Sequence, residues 1–506
     1  MRHLLTCKKP WLILIALLIL FWAPLSLAAT PSVTPLRRPN VLWINLDDGR
    51  ADSLGCYGSA WAKTPHLDAL AEQGVRFATA IAQSPVCVPS RRSIKTGHYS
   101  YEIGPVAMGK EPETAGHYLN PQKMATLAKG PILLDAWTAV GMKPINVGKV
   151  HGFPKHWDLR GDAEVLFNVT GKPTQYFLQT FGNDSNLLDT ERVFTKTHGW
   201  QIGGVMDIKP QDTETWRLGD MARRQLRAVA EKGAPFFLRV SFHAPHVACY
   251  VPRDYFIDPR TIDLPLPTPQ ELQNRPKLEQ GPLQVYAGAD LTREQIDLCR
   301  GTYYGMVSLV DVQVGRLVQV LRQTGQFENT IIAFTSDQGF QLGEHGLWKK
   351  RAFYEGNVKV PLLLIFPQAL PRGKVIQEPV EMLDFLPTLM ELSHLSMPAT
   401  IRGKSLVPLI RDSVKGDWRK ACFSEIDHSQ SMYPELRQET GRRVMVRTKQ
   451  WKLIMFMDSR VTDKDGALYD LQDDPDEKNN LYHDPQYQDI IQKLEALAQQ
   501  WDQKKI

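Results

Sequence analysis

Apolar residues fall in short continuous runs along the chain, each closing on polar residues. PNVLWINLDDG (39–49), PINVGKVHG (144–152), PFFLRVSFHAPH (235–246), NTIIAFTSDQG (329–339) and VPLLLIF (360–366) read as buried strands, and FATAIAQ (77–83) as a further strand-like run. Between them the apolar spacing turns helical in PHLDALAEQGVRF (65–77), PILLDAWTAVG (131–141), TWRLGDMARRQLRAVAEKG (215–233) and the long stretch 293–325, where Gly305 is a candidate bend. Continuous apolar strands alternating with helices predict an α/β fold with a mostly parallel sheet covered on both faces. Ligands of such sheets gather at the carboxyl ends of the strands. Asp47-Asp48, Lys149 with His151, His243, and Asp337-Gln338 each sit just past a strand-like run. Four separate segments thus bring polar chemistry to one edge.

Other regions follow other patterns. Spans 152–210 and 250–290 are weakly periodic and read as irregular insertions. RRVMVRTKQWKLIMF (442–456) and GALYDLQDDPDEKNNL (466–481) predict short antiparallel strands, and DIIQKLEALAQQWDQ (489–503) a closing helix. The expected organisation is a catalytic domain over 37–414 and a smaller C-terminal α+β domain with a short antiparallel sheet over 415–506. At the start, Arg2, Lys8 and Lys9 precede WLILIALLILFWA, then Pro24, Ser26, Ala28 and Ala29. That is the layout of a signal peptide over 1–29, cut near Ala28 or Ala29; an uncleaved anchor is the alternative. The mature protein is expected in a bacterial periplasm or the medium, without stable membrane insertion.

Composition narrows the function. The 506 residues carry a formal charge of +5 without long basic runs. This argues against a nucleic-acid binder and suits acidic substrates. Cys56, Cys87, Cys249, Cys299 and Cys422 remain after the leader, with no C-x-x-C spacing to support zinc or dithiol chemistry. An odd count in an oxidising compartment singles out one thiol, and Cys87 has the cationic surroundings that favour reactivity.

Cys87, Pro89, Ser90 and Arg91, followed by Thr96-Gly97, spell C-x-P-S-R then T-G. With NVLWINLDD, GKVHG, SFHAPH, TSDQGFQLGEHGLWKK and ALYDLQDDPDEKNNL, the chain resembles the formylglycine-dependent sulfatase family, and most of all its iduronate-2-sulfatase-like branch. The resemblance implies an alkaline-phosphatase-like fold. It implies that a formylglycine-generating or anaerobic sulfatase-maturating enzyme oxidises Cys87 to formylglycine. One hydroxyl of the hydrated aldehyde attacks sulfur and the other expels sulfate, an exit that serine lacks. Asp47, Asp48, Asp337 and Gln338, with the modified Cys87, would hold Ca²⁺, with Mg²⁺ as the alternative, since oxygen donors suit hard cations. Gln338 departs from the family's usual Asn and from the His of the iduronate branch. Both aspartates can reach one ion only if the chain leaves strand geometry there, for which Gly49 is the candidate.

By the same resemblance Arg91 steadies the hydrate, Lys149 binds a sulfate oxygen, and His151 bonds a formylglycine hydroxyl. His243 serves the leaving oxygen and Lys350 is a second sulfate lysine, with Lys349 its local competitor. His246 and His345 are weaker candidates, and Arg92 and Cys56 read as structural. The implied substrate is a sulfated saccharide, a 2-O-sulfated uronate foremost. A phosphodiester or phosphonate monoester hydrolase and a non-catalytic glycan-binding homologue are the rivals.

Overall fold

The computed structural model describes residues 38–102, 133–149 except 143, 193–194, 201–278 except 274 and 277, 291–427, 441–457 and 465–503. His151, the leader and most of the 152–210 insertion lie outside these residues.

Seven strands build the main sheet: β1 (Asn40–Asp47), β2 (Val75–Phe77), β3 (Pro144–Gly148), β4 (Phe237–Pro245), β5 (Thr330–Ser336), β6 (Leu362–Ile365) and β7 (Lys374–Ile376). Their order is β7-β2-β6-β5-β1-β4-β3. Strands β3, β4, β1 and β5 pair in parallel, and only β6 runs against its neighbours. The sheet is therefore mixed, with its parallel part at the centre.

Alternation along β1 explains the two covered faces. Leu42, Ile44 and Leu46 enter one core with helices α3 (Glu214–Glu231) and α4 (Arg293–Gln323). Val41 and Trp43 enter the other, with α5 (Phe385–Leu392). Helix α4 runs unbroken through Gly305, which corrects the expected bend. A β-carbon at that position would meet the Tyr255 carbonyl oxygen at 2.2 Å, so the glycine serves close packing. The later segment forms a four-stranded antiparallel sheet of β8 (Cys422–Asp427), β9 (Arg442–Arg447), β10 (Trp451–Phe456) and β11 (Ala467–Asp470). Helix α6 (Gln488–Gln503) packs on it through Ile491, Leu494, Ala498 and Trp501.

Candidate active site

The carboxyl ends of β1, β3, β4 and β5 meet at one buried cluster of charge. At the end of β1 the chain turns at Asp48 itself, whose φ is +66°. That left-handed residue breaks the strand alternation and brings two neighbouring carboxylates to one place. Gly49 contributes differently from expectation: a β-carbon there would meet Leu46 Cδ1 at 2.6 Å and Ser336 Oγ at 3.0 Å. Asp337 follows β5 and accepts from the backbone N–H of Asp48 (3.1 Å) and of Gln338 (2.9 Å).

Cys87 opens helix α2 (Cys87–Thr96). Pro89 falls in the first turn, where no intrahelical partner for its missing N–H is needed. One turn on, Arg91 is buried and reaches Asp337 Oδ2 (2.6 Å), Ser241 Oγ (3.0 Å) and Asp47 Oδ1 (3.5 Å). Lys149 pairs with Asp47, and Lys350 lies 2.9 Å from Asp48 Oδ1. Cys87 lies within electrostatic reach of both Arg91 and Lys350.

Three carboxylates face three cations, yet the oxygens are not all used. Asp47 Oδ1, Asp48 Oδ2 and Gln338 Oε1 are buried without a hydrogen-bond partner, although the Gln338 amide N–H donates to Asp48. Ligand oxygens of Asp47, Asp48 and Asp337 lie within 4.8 Å of one another. Open buried oxygens are costly unless something neutralises them. An all-oxygen set of this kind fits a hard divalent cation, and Gln338 supplies an oxygen where the family has Asn. With a dication the cluster would be two charges positive, which suits an anionic substrate.

Proton affinities are spread widely across the cluster. Burial works to raise Asp47, but Lys149 and Arg91 hold it well below the usual carboxylate range. Burial raises Asp48 against the pull of Lys350, and lifts Asp337 to about 7 against Arg91. Burial would lower the Lys350 ammonium, but Asp48 holds it above its ordinary value.

The histidines divide. His246 Nε2 stands 3.7 Å from Asp48 Oδ2, and burial followed by the Lys350 charge keeps it neutral, well below 6.5. His243 stacks on His246 with centroids 4.8 Å apart, and its Nδ1 lies 3.9 Å from Glu214. Burial lifts Glu214 to about 7. Sequence reasoning passed over Arg239, Ser241 and Glu214. Arg239 donates to Ser241 Oγ (3.1 Å) and to the Lys149 carbonyl (3.0 Å), tying Lys149 to Arg91. Arg239, Ser241 and His243 alternate along β4, so one face of one strand carries all three; that spacing was the available signal.

Comparison with known proteins agrees with this arrangement. The Sulfatase family model matches residues 39–395, and that of the N-sulphoglucosamine sulphohydrolase C-terminal region matches 343–504. An arylsulfatase of Clostridium perfringens is 27% identical over 482 residues, covering 91% of this chain and 93% of its own. Human iduronate 2-sulfatase is 24% identical over 534 residues, covering 90% and 93%. The solved structure of a phosphonate monoester hydrolase from Silicibacter pomeroyi superposes with a TM-score of 0.77 at 24% identity, covering 93% of this chain and 96% of its own. The last likeness speaks to the fold alone.

Proposed function

This chain belongs to the sulfatase family, a sulfuric ester hydrolase by its relatives, and on that premise we propose that it is exported and removes O-sulfate from a sulfated saccharide. The nucleophile is formylglycine made from Cys87 by a maturation enzyme. Residues 37–414 form the catalytic part and 415–506 the C-terminal subdomain. One observation supports this most: the open oxygens of Asp47, Asp48 and Gln338 lie beside a helix N-terminus that starts at Cys87 and is flanked by Arg91 and Lys350.

Asp47, Asp48, Asp337, Gln338 and the oxygen on residue 87 would hold Ca²⁺, or Mg²⁺ in its place. Such an ion polarises a sulfate oxygen and favours the ionised nucleophile. Hydrated formylglycine supplies an attacking oxygen and a second hydroxyl through which sulfate departs. The remaining work falls to ordinary side chains. Arg91, fixed by Asp337 and Ser241, and the positive end of the α2 dipole orient residue 87 and stabilise negative charge there. Lys149 and Lys350 bind the remaining sulfate oxygens. His243 hands a proton to the departing sugar oxygen, with the neutral ring of His246 stacked against it. His151 bonds the second hydroxyl.

A 2-O-sulfated uronate is the first substrate to try, in line with the iduronate 2-sulfatase relationship. The second reading is a phosphodiester or phosphonate monoester hydrolase, since a multifunctional alkaline phosphatase superfamily protein of Trinickia caryophylli is also a relative, at 24% identity. The test joins two measurements on protein from a maturing host. Mass spectrometry with an aldehyde trap should find formylglycine at residue 87, and aryl sulfate should turn over faster than aryl phosphate diester. An intact thiol in fully active enzyme, or a strong diester preference, rejects the reading.

A further inference from the structure

Helix α2 carries Cys87 at one end; at its other end lies a cleft of about 470 Å³. Ten helical residues place the two roughly 15 Å apart. The cleft lies beyond the reach of one sulfated sugar held at Cys87. Its walls come from Tyr99 just past α2, from residues 402–404 and 417–423, and from α6 through Leu497, Gln500 and Trp501. The volume falls within the range of small-ligand sites.

The lining combines rings and cations. The Trp418 ring is half-buried, with Lys404 Nζ and Arg419 Cζ each 5.6 Å from its centroid. Trp501 stacks on Phe423 at 4.6 Å and meets Tyr99 edge-on at 5.0 Å, which makes a rigid aromatic wall. Arg419 is held by Glu381 and by Asp384 (2.9 Å), and Arg402 by Glu102 (2.9 Å). Arg419 is thus tied to its two carboxylates and Arg402 to Glu102, and the remaining charged side chains of the lining are Lys404, Lys420 and Asp417. Both lysines and Gln500 are exposed. Apolar ring faces suit the C–H faces of a sugar, and mobile ammonium groups suit its sulfates or carboxylates. A purely acidic peptide would use the lysines but not the aromatic wall.

We propose that this cleft is a second binding site for an anionic polysaccharide, which holds the polymer while another part of it is desulfated at Cys87. The inference rests on the saccharide reading above. Tethering raises the effective concentration of the next sulfate without adding a contact at the reaction centre.

The test uses the matured full-length enzyme, heparin as the polymer probe and 4-nitrocatechol sulfate as the small substrate. Lys404→Ala combined with Lys420→Ala should weaken heparin binding about tenfold at low salt, with a shallower salt dependence, and leave aryl sulfate turnover unchanged. Trp418→Ala should weaken heparin further, with folding checked by circular dichroism. Unchanged heparin affinity in the double-lysine variant overturns the proposal while aryl sulfate turnover keeps the sulfatase reading standing. Equal affinity for neutral dextran, or tighter binding of poly-glutamate than of heparin, also overturns it. Loss of aryl sulfate turnover in the wild type would count against the sulfatase reading instead, because heparin binding is measured separately by direct titration.

Discussion

Two buried clusters of charge can be set side by side. In the first, Lys452 is fully buried and lies 2.9 Å from Glu355 Oε1 and 2.7 Å from Glu477 Oε1; it also donates to the Phe353 carbonyl (3.0 Å). Arg447 takes the other Glu355 oxygen at 3.4 Å, and the Glu355 N–H donates to Glu477 Oε2 (2.6 Å). Both Glu355 oxygens and Glu477 Oε2 have a donor, and Glu477 Oε1, without a hydrogen bond of its own, lies against the Lys452 ammonium. The second cluster, around Asp47, Asp48 and Asp337, has three cations to the first one's two, yet leaves three oxygens without a hydrogen bond against one in the first. Both are buried and densely charged, so burial and charge do not separate a structural network from a working one. Unspent bonding capacity does.

The comparison is broken most sharply by altering the nucleophile. Cys87→Ala should lower aryl sulfate turnover by about 10⁴-fold or more while leaving the thermal midpoint close to wild type. Initial rates and a melting curve on the same preparation check it. Next in size is Asp48→Asn, or removal of divalent cations with a chelator. Each should cost about 10²–10³-fold in kcat, the scale of losing one preorganised charge at a reaction centre. Restoring Ca²⁺ should return activity to the chelated wild type but not to the variant. If the open oxygens are merely a packing fault, Asp48→Asn will stabilise the fold and spare kcat.

The closed cluster should answer in stability. Lys452→Met leaves Glu355 and Glu477 buried beside each other without their shared cation, a change that costs about 3–5 kcal/mol. Denaturant titration measures it, and the folded fraction should keep its kcat. Lys350→Met makes the opposite pair: catalysis falls and stability moves little, because removing a cation from Asp48 leaves a pocket already suited to a metal ion. Equal stability losses in both variants would erase the distinction.

How far these clusters could be read from sequence differs with the local physics. The end of β1 was legible because a continuous apolar run stopping on two aspartates leaves few alternatives, and Lys149, Asp337 and Gln338 follow strands of the same kind. Arg91 was legible through the C-x-P-S-R resemblance. The turn at Asp48 was assigned to Gly49, since a preference for glycine at positive φ is a prior that a buried aspartate paired with Lys350 overrides. Glu214 escaped notice because a helix N-terminus rich in polar residues is ordinary, and only tertiary packing sets it beside His243. The Lys452 network was invisible: Glu355 lies about a hundred residues before Lys452 and Glu477 sits in a separate later turn, and each alone looks like a surface residue. The antiparallel sheet after residue 420 was legible from alternation; the exact partners along it were not.

The smallest predicted effect concerns a histidine beside the closed cluster. His345 stacks face to face on Tyr354, with centroids 3.6 Å apart and planes 2° from parallel. Burial, with Arg275, Lys452, Arg50 and Lys478 around it, pushes its imidazole down to about 3. The unfolded chain takes up that proton near pH 6.5, while the native state stays neutral until about 3. Between those values the unfolded state binds more protons, so stability is full above 6.5 and falls as pH drops through the window. The ring keeps an edge toward the cavity it shares with Arg50, Glu344 and Glu477, so the slope is at most one proton, about 1.4 kcal/mol per pH unit. His345 also has φ +52°, which asparagine tolerates better than most residues. His345→Asn therefore removes the titration with the backbone kept. Denaturation midpoints from pH 4 to 7 should show a flatter acid limb in the variant, with kcat at pH 7 unchanged. A parallel pair of curves would mean that this imidazole is protonated in the native state, and that the cations around it are fewer or farther than the structure sets them.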